Sequence, residues 1–101
     1  MEPEGDAVWR GPPMSRHVQF KFYAPEAHRV SIAGDFNGWD TSAHQLSPKG
    51  KGLWLIAIEL PPGRYAYKFK FFVDGIWRID PDAASYIVNA HGTMNCIITV
   101  E

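Results

Sequence analysis

Strict alternation of apolar and polar residues runs through several short segments of this 101-residue chain. In RYAYKFKFFV, residues 64–73, an apolar side chain occupies every second position, and HVQFKFY, residues 17–23, repeats the pattern. Side chains point alternately to the two faces of a strand, so this period predicts strands with one buried face. No stretch shows a helical period. The chain is therefore expected to be all-β.

Asp74-Gly75 directly follows the longest alternating segment, and this dipeptide is a strong signal for a two-residue β-hairpin turn. A tight turn there places Trp77 opposite Phe72 on the same face. Lys68 and Lys70 share that face, because they lie two and four residues before Phe72. The opposite face is then the core row, which is Tyr65, Tyr67, Phe69, Phe71 and Val73.

Further strands are predicted at 29–34, 53–60, 76–80 and 95–100, with Trp54 in the core. Residues 36–51, and about a dozen residues before the last strand, are expected to be loops. About seven short antiparallel strands favour an immunoglobulin-like β-sandwich, in which each sheet buries one face. We expect one domain, residues 17–101, after a Pro- and Gly-rich N-terminal arm, residues 1–16.

Composition argues against several classes of function. A net charge of −1 gives no electrostatic footprint for nucleic acid or an anionic membrane, so neither is expected as a partner. The single cysteine, Cys96, excludes an intrachain disulfide and a thiolate metal cluster. No segment resembles a signal peptide or reaches transmembrane length. We expect a cytoplasmic protein.

Catalytic patterns are also missing from the sequence. The four histidines show no metal-ligand spacing, and no nucleophile-elbow motif is present. Asp74, Asp80 and Asp82 lie near Trp77 in sequence and could suggest the carboxylates of a glycosidase. The hairpin turn explains Asp74 better, and the other two flank Pro81 where a strand ends. We therefore expect no catalytic residue, no metal and no cofactor.

Trp39 raises a separate question, because it stands in the polar turn AGDFNGWD, residues 33–40. A tryptophan in a small β-sandwich is more often part of the core or an edge than of a binding site. An exposed indole beside hydrogen-bond donors nevertheless suits a pyranose, which is apolar on its faces and polar around its rim. Trp39 and Trp77 are the two candidates, and we expect their rings to be open and roughly coplanar. Affinities between micromolar and millimolar would follow.

Four segments, VSIAGDFNGWD, LPPGRYAYKF, KFFVDGIWRIDP and HGTMNCIITV, follow one another between residues 18 and 101. In this order they resemble the glycogen-binding module of the AMP-activated protein kinase β-subunit and the family 48 carbohydrate-binding modules. Related early-set sandwiches stand at the N-terminus of isoamylase and of branching enzymes. The resemblance therefore implies the same immunoglobulin-like fold.

The resemblance also implies particular contacts. Trp39 and Trp77 would each stack on a glucose unit, and Thr93 and Asn95 would bond sugar hydroxyls. His91 stands where the kinase module has a leucine that engages the sugar chain.

One lysine of the long strand would bond sugar hydroxyls as well. Counting back from Asp74 gives Lys70, whereas counting forward from residues 61–63 gives Lys68. We favour Lys70.

The resulting prediction is non-catalytic binding of α-1,4-glucan, such as glycogen, starch or maltooligosaccharides. A glycogen-metabolism enzyme or a kinase-type subunit would be the protein partner. In the alternative, the sandwich docks on another subunit or enzyme without binding sugar, and Trp39 and Trp77 anchor that interface. Thr93, Asn95 and the lysine beside the tryptophans favour the first interpretation.

Overall fold

A computed structural model describes residues 16–61 and 66–100, and these residues are mainly β-strand. The predicted arm lies outside the described residues apart from Arg16, which already belongs to the first strand. The strands are β1 (Arg16–Tyr23), β2 (Val30–Gly34), β3 (Ser47–Pro48), β4 (Leu53–Leu60), β5 (Ala66–Val73), β6 (Ile76–Arg78), β7 (Ser85–Val88) and β8 (Met94–Thr99). A 3-10 turn, Asp35–Asn37, follows β2. Among the described residues, no helical segment has the length and apolar composition of a membrane span.

The strands form two antiparallel sheets that pack face to face. One sheet has three strands in the order β1-β4-β3, and the other has five, in the order β2-β5-β8-β7 with β6 paired to β5. Phe20 contacts Phe69 across the sheets with ring centroids 5.2 Å apart, and Phe22 contacts Phe71 at 4.7 Å. The predicted immunoglobulin-like β-sandwich is confirmed.

The core follows the alternation of the sequence. Phe69, Phe71 and Val73 of β5 are buried, and Tyr67 packs against them, whereas Tyr65 lies outside the described residues. Trp54 is 8% exposed, as predicted. Its indole N–H donates to the carbonyl oxygen of Ala24 at 2.9 Å, so the one polar atom of this buried ring has a partner.

Two of the observed strands, β3 and β7, lie in segments that the sequence predicted to be loops. β3 pairs with β4 through Ser47 and Pro48, and two residues are too few to show alternation. Pro48 is tolerated because β3 lies at the edge of its sheet. β7 pairs along β8, and the hydroxyl of Tyr86 donates to the carbonyl oxygen of Asp80 at 2.6 Å. The prediction of one long loop before β8 is therefore wrong.

The β5–β6 hairpin has the predicted register, with Phe72 opposite Trp77 and Val73 opposite Ile76. Asp74 and Gly75 both have positive φ, 48° and 84°, as a type I′ turn requires. The Asp74 carboxylate accepts hydrogen bonds from the backbone N–H groups of Arg29 and His28. The bond from Arg29 is the main cause of a lowered Asp74 pKa, despite the opposing effect of desolvation. This carboxylate therefore fixes the turn that places Trp77.

Candidate functional site

A groove of about 510 Å³ lies on the outer face of the five-stranded sheet. β5 supplies its floor, because Lys68 and Lys70 alternate with the buried Phe69 and Phe71. The seven residues predicted to contact a ligand all line this groove: Trp39, Trp77, Lys68, Lys70, Thr93, Asn95 and His91. The fold thus brings together side chains from four separate parts of the chain.

Trp77 is 43% exposed, although it belongs to a strand. Its ring packs beside that of Phe72, its cross-strand partner, with centroids 4.8 Å apart and planes inclined by 55°. The hairpin register and this contact set the orientation of the indole. Much of the ring remains open to the groove.

Trp39 is held by the turn that follows β2. Gly38 and Trp39 both lie in the left-handed region, with φ of 66° and 62°. This conformation is uncommon for a residue with a side chain and costs about 1–2 kcal/mol. The Trp39 amide donates to the carbonyl oxygen of Gly34 at 2.9 Å, which stabilises the turn. Backbone strain of this kind is concentrated at functional sites.

The two indoles lie on the same side of the molecule, with ring centroids 6.3 Å apart. Neither ring belongs to the core between the sheets, although Trp39 is half-buried whereas Trp77 is exposed. Their planes are inclined by 65°, so the expectation of roughly coplanar rings is wrong. Strand register sets the orientation of Trp77, and a left-handed turn sets that of Trp39. These two constraints are independent and do not place the two indole rings in one plane.

Asp35 is a groove residue that the sequence prediction missed. Its Oδ1 accepts a hydrogen bond from Nε1 of Trp39 at 3.2 Å, and its Oδ2 accepts one from the backbone N–H of Lys68 at 2.9 Å. One carboxylate therefore ties the turn to β5 and orients the indole. The sequence signal that could have identified Asp35 is its place four positions before Trp39.

The two lysines differ in their contacts. Nζ of Lys70 donates to Oγ1 of Thr93 at 3.2 Å, so this ammonium lies beside a predicted contact residue. The side chain of Lys68 lines the same groove, and its backbone is bonded to Asp35. The geometry is compatible with the preference for Lys70.

Asn89 organises the polar wall of the groove and was also missed. Its Oδ1 accepts hydrogen bonds from the backbone N–H groups of His91 at 2.9 Å and Thr93 at 3.1 Å. Its Nδ2 donates to Oγ1 of Thr93 at 2.8 Å and to Oδ1 of Asn95 at 3.1 Å. A single side chain thus positions all three predicted contact residues of the β7–β8 turn and of β8.

Asp80 and Asp82, the other two carboxylates near Trp77 in the sequence, lie outside the groove. Oδ1 of Asp80 accepts a hydrogen bond from the backbone N–H of Asp82 at 2.8 Å, and burial raises the pKa of Asp80. Both residues line hollows next to Lys21, not the groove with the tryptophans. Within the described parts of the chain, no group of three His, Cys, Asp or Glu residues is placed to hold a metal ion.

Comparison with protein families gives a match over nearly the whole chain. The model of one family, described as the glycogen recognition site of AMP-activated protein kinase, matches residues 16–101. The chain belongs to this glycogen-recognition family. The match includes every residue that lines the groove.

Several curated proteins contain a segment similar to this glycogen-recognition domain. The 1,4-alpha-glucan branching enzyme GlgB of Dechloromonas aromatica is 46% identical over 52 residues, which are 50% of this chain and 8% of the enzyme. The same enzyme of Synechococcus elongatus is 46% identical over 67 residues, 63% of this chain and 9% of the enzyme. The chloroplastic protein FLOURY ENDOSPERM 6 of Oryza sativa is 38% identical over 74 residues, 73% of this chain and 13% of that protein. The chain spans only a small part of these relatives.

Replacing Asn89 by aspartate separates its two roles in this glycogen-recognition domain. The carboxylate still accepts from the His91 and Thr93 amides, but it has no N–H for Thr93 Oγ1 or Asn95 Oδ1. We expect Asn89→Asp to lower glycogen affinity about tenfold, as the loss of two positioning hydrogen bonds suggests, while the melting temperature falls by only a few degrees. Affinity electrophoresis measures the change in glycogen affinity, and thermal unfolding measures the change in melting temperature. Unchanged glycogen affinity in Asn89→Asp would show that the wall does not contact sugar.

Proposed function

We propose that this domain binds α-1,4-glucan chains, such as glycogen, starch and maltooligosaccharides, without catalysing a reaction. The observation that supports this most strongly is the single groove shared by Trp39, Trp77, Lys70, Thr93 and Asn95. It combines apolar ring surface with hydrogen-bonding groups, as the recognition of a sugar requires.

The angle between the two indoles supports α-linked over β-linked glucan. Chains of α-1,4-linked glucose curve, whereas β-1,4-linked chains extend as flat ribbons. Two aromatic rings inclined by 65° offer no common plane to a flat ribbon. They fit successive units of a chain that turns. The aromatic pair would therefore select for chain shape.

The polar wall would bind the rim of the sugar. The ammonium of Lys70 and the hydroxyl of Thr93 lie 3.2 Å apart, so one sugar hydroxyl can reach both. Asn95 is only 7% exposed, and its Oδ1 is already bonded to Asn89. Its Nδ2 is then the atom that would donate to the ligand. Each such hydrogen bond contributes about 0.5–1.5 kcal/mol.

Native affinity electrophoresis with glycogen, amylopectin or soluble cellulose derivative in the gel tests the proposal. We expect glycogen and amylopectin to retard the protein, and the cellulose derivative to leave its mobility unchanged. An unrelated β-sandwich without exposed tryptophans, run in the same gels, controls for sieving. Equal mobility in all gels would refute glucan binding, and retardation by cellulose would refute selection for α-linkage.

A second candidate function, docking on another protein, is supported by a different surface. Tyr23 is 67% exposed and Ile79 41% exposed, and both line a groove of about 550 Å³ beside Leu53, away from the tryptophans. Exposed apolar surface of this kind is typical of interaction sites. A glycogen-metabolism enzyme or a kinase-type subunit would be the partner. If Trp39 and Trp77 were instead the interface anchors, soluble glucan would not compete with the partner for them.

A further inference from the structure

A second hollow, of about 280 Å³, lies near the β5–β6 turn, and Phe72 forms part of its wall. We call it the Ser31 hollow. It is also lined by Arg29, Ser31, Thr41, Ser42, Gln45 and Asp74. Phe72 pairs with Ser31 on one side and with Trp77 on the other, so these three side chains share the outer face of the sheet. The Ser31 hollow therefore adjoins the aromatic pair.

Ser31 is the most informative residue of this hollow. It is only 6% exposed, yet no residue of the described ranges hydrogen-bonds its hydroxyl. Buried polar groups in proteins are nearly always hydrogen-bonded, because leaving one unpaired destabilises the fold. Its neighbour Gln45 faces it across an isolated β-bridge, and the Gln45 amide also lacks a side-chain partner within the described residues. The hydroxyl of the buried Ser31 and the amide of the exposed Gln45, neither bonded to another side chain of the described ranges, thus lie side by side at the hollow.

The composition of the hollow fits a neutral, hydroxyl-rich ligand. Thr41, Ser42 and Gln45 supply neutral donors and acceptors, and the Phe72 ring supplies an apolar surface. Arg29 and Asp74, which also line it, carry opposite charges, so neither an anion nor a cation is favoured. Aromatic surface with neutral polar groups is the same combination as in the main groove.

We propose that the Ser31 hollow is a further sugar subsite, which receives the continuation of a glucan chain already stacked on Trp39 and Trp77. This inference rests on the proposed function. Phe72 links the two places, because its ring lies 4.8 Å from Trp77 and also lines the hollow. A chain that leaves Trp77 toward β2 meets the Ser31 hydroxyl and the Gln45 amide, to which the described residues offer no side-chain partner.

Calorimetric titration with maltotriose and maltoheptaose tests the subsite. The variant is Ser31→Ala with Gln45→Ala, and the matched control is Ser47→Ala with Gln19→Ala, at exposed positions of the three-stranded sheet. We expect the native chain to bind maltoheptaose more tightly than maltotriose. The variant should lose about threefold to tenfold in maltoheptaose affinity, as one or two lost hydrogen bonds imply, and keep its maltotriose affinity. Its melting temperature should be nearly unchanged, because neither side chain makes a hydrogen bond within the described ranges.

Each contrary result has a distinct meaning. Native maltoheptaose affinity in the variant, or equal affinity of the native chain for both sugars, would overturn the subsite and leave the aromatic groove intact. An equal loss for both sugars would also overturn it, since the substitutions would then act by displacing the tryptophans. Failure of the native chain to bind either sugar would overturn the proposed function, and the subsite with it.

Discussion

Replacing Trp77 by alanine is expected to lower the affinity for glycogen or β-cyclodextrin about 70-fold, with little change in melting temperature. An aromatic side chain buries about 150–250 Å² in full contact, and a sugar covering one open side of the indole would bury about 100 Å². At about 25 cal/mol per Å² this is about 2.5 kcal/mol, or nearly two orders of magnitude in affinity. Retardation in affinity gels and calorimetric titration measure the loss.

The fold should tolerate this change because Trp77 is 43% exposed and contributes nothing to the interior of the sandwich. Trp39→Ala should weaken binding similarly. Tyr23→Ala is the matched control, since it removes another exposed aromatic ring, on the three-stranded sheet. Unaltered retention in both tryptophan variants would reject the sugar contacts. A large fall in the melting temperature of Trp77→Ala would show that the ring supports the core.

The position of Trp77 was predictable because it depends on local information. Alternation along β5 and the Asp74-Gly75 turn are read within a dozen residues, and together they set the face that Trp77 shares with Lys68 and Lys70. The orientation of Trp39 was not predictable in this way. It depends on a left-handed backbone and on the Asp35 carboxylate, which is also bonded to β5, more than thirty residues away.

The missed elements share one physical cause. β3 and β7 are strands because they pair with β4 and β8, and their own two and four residues carry too little pattern to show it. Asn89 likewise matters through the residues it contacts in the folded turn, not through a motif of its own. Family resemblance supplied the candidate contact residues, whereas Asp35 and Asn89, which position them, emerged only from the structure.

Gly34 connects the core to the site, and Gly34→Ala is expected to lower stability by about 2–3 kcal/mol. Its φ is −172°, an extended conformation that any residue adopts, so the backbone itself demands no glycine. Space does. A Cβ atom at this position would collide with the carbonyl oxygen of Lys68, and would lie 2.9 Å from Cβ of Phe69 and 3.0 Å from Cε2 of Phe36. Two of these atoms belong to the central strand β5 and cannot move independently of it.

The melting temperature of Gly34→Ala should therefore fall by about 10–20 °C, since 1 kcal/mol corresponds to about 4–8 °C in a domain of this size. Gly50→Ala is the control, because its φ is 93° but nothing lies within 4 Å of an added Cβ atom. It should lose only about 1 kcal/mol, from backbone strain alone. Similar losses in the two variants would refute the steric explanation.

Gly34→Ala should also weaken glucan binding at temperatures below its melting transition, where the variant is still folded. The Gly34 carbonyl accepts the amide of Trp39, and the Lys68 amide donates to Asp35, which in turn orients the Trp39 indole. Separating β2 from β5 at Gly34 would therefore move the turn away from the strand that carries Lys70. Calorimetric titration at 10–15 °C measures this effect apart from stability. Native affinity there, despite a much lower melting temperature, would mean that the turn holds Trp39 without support from β5.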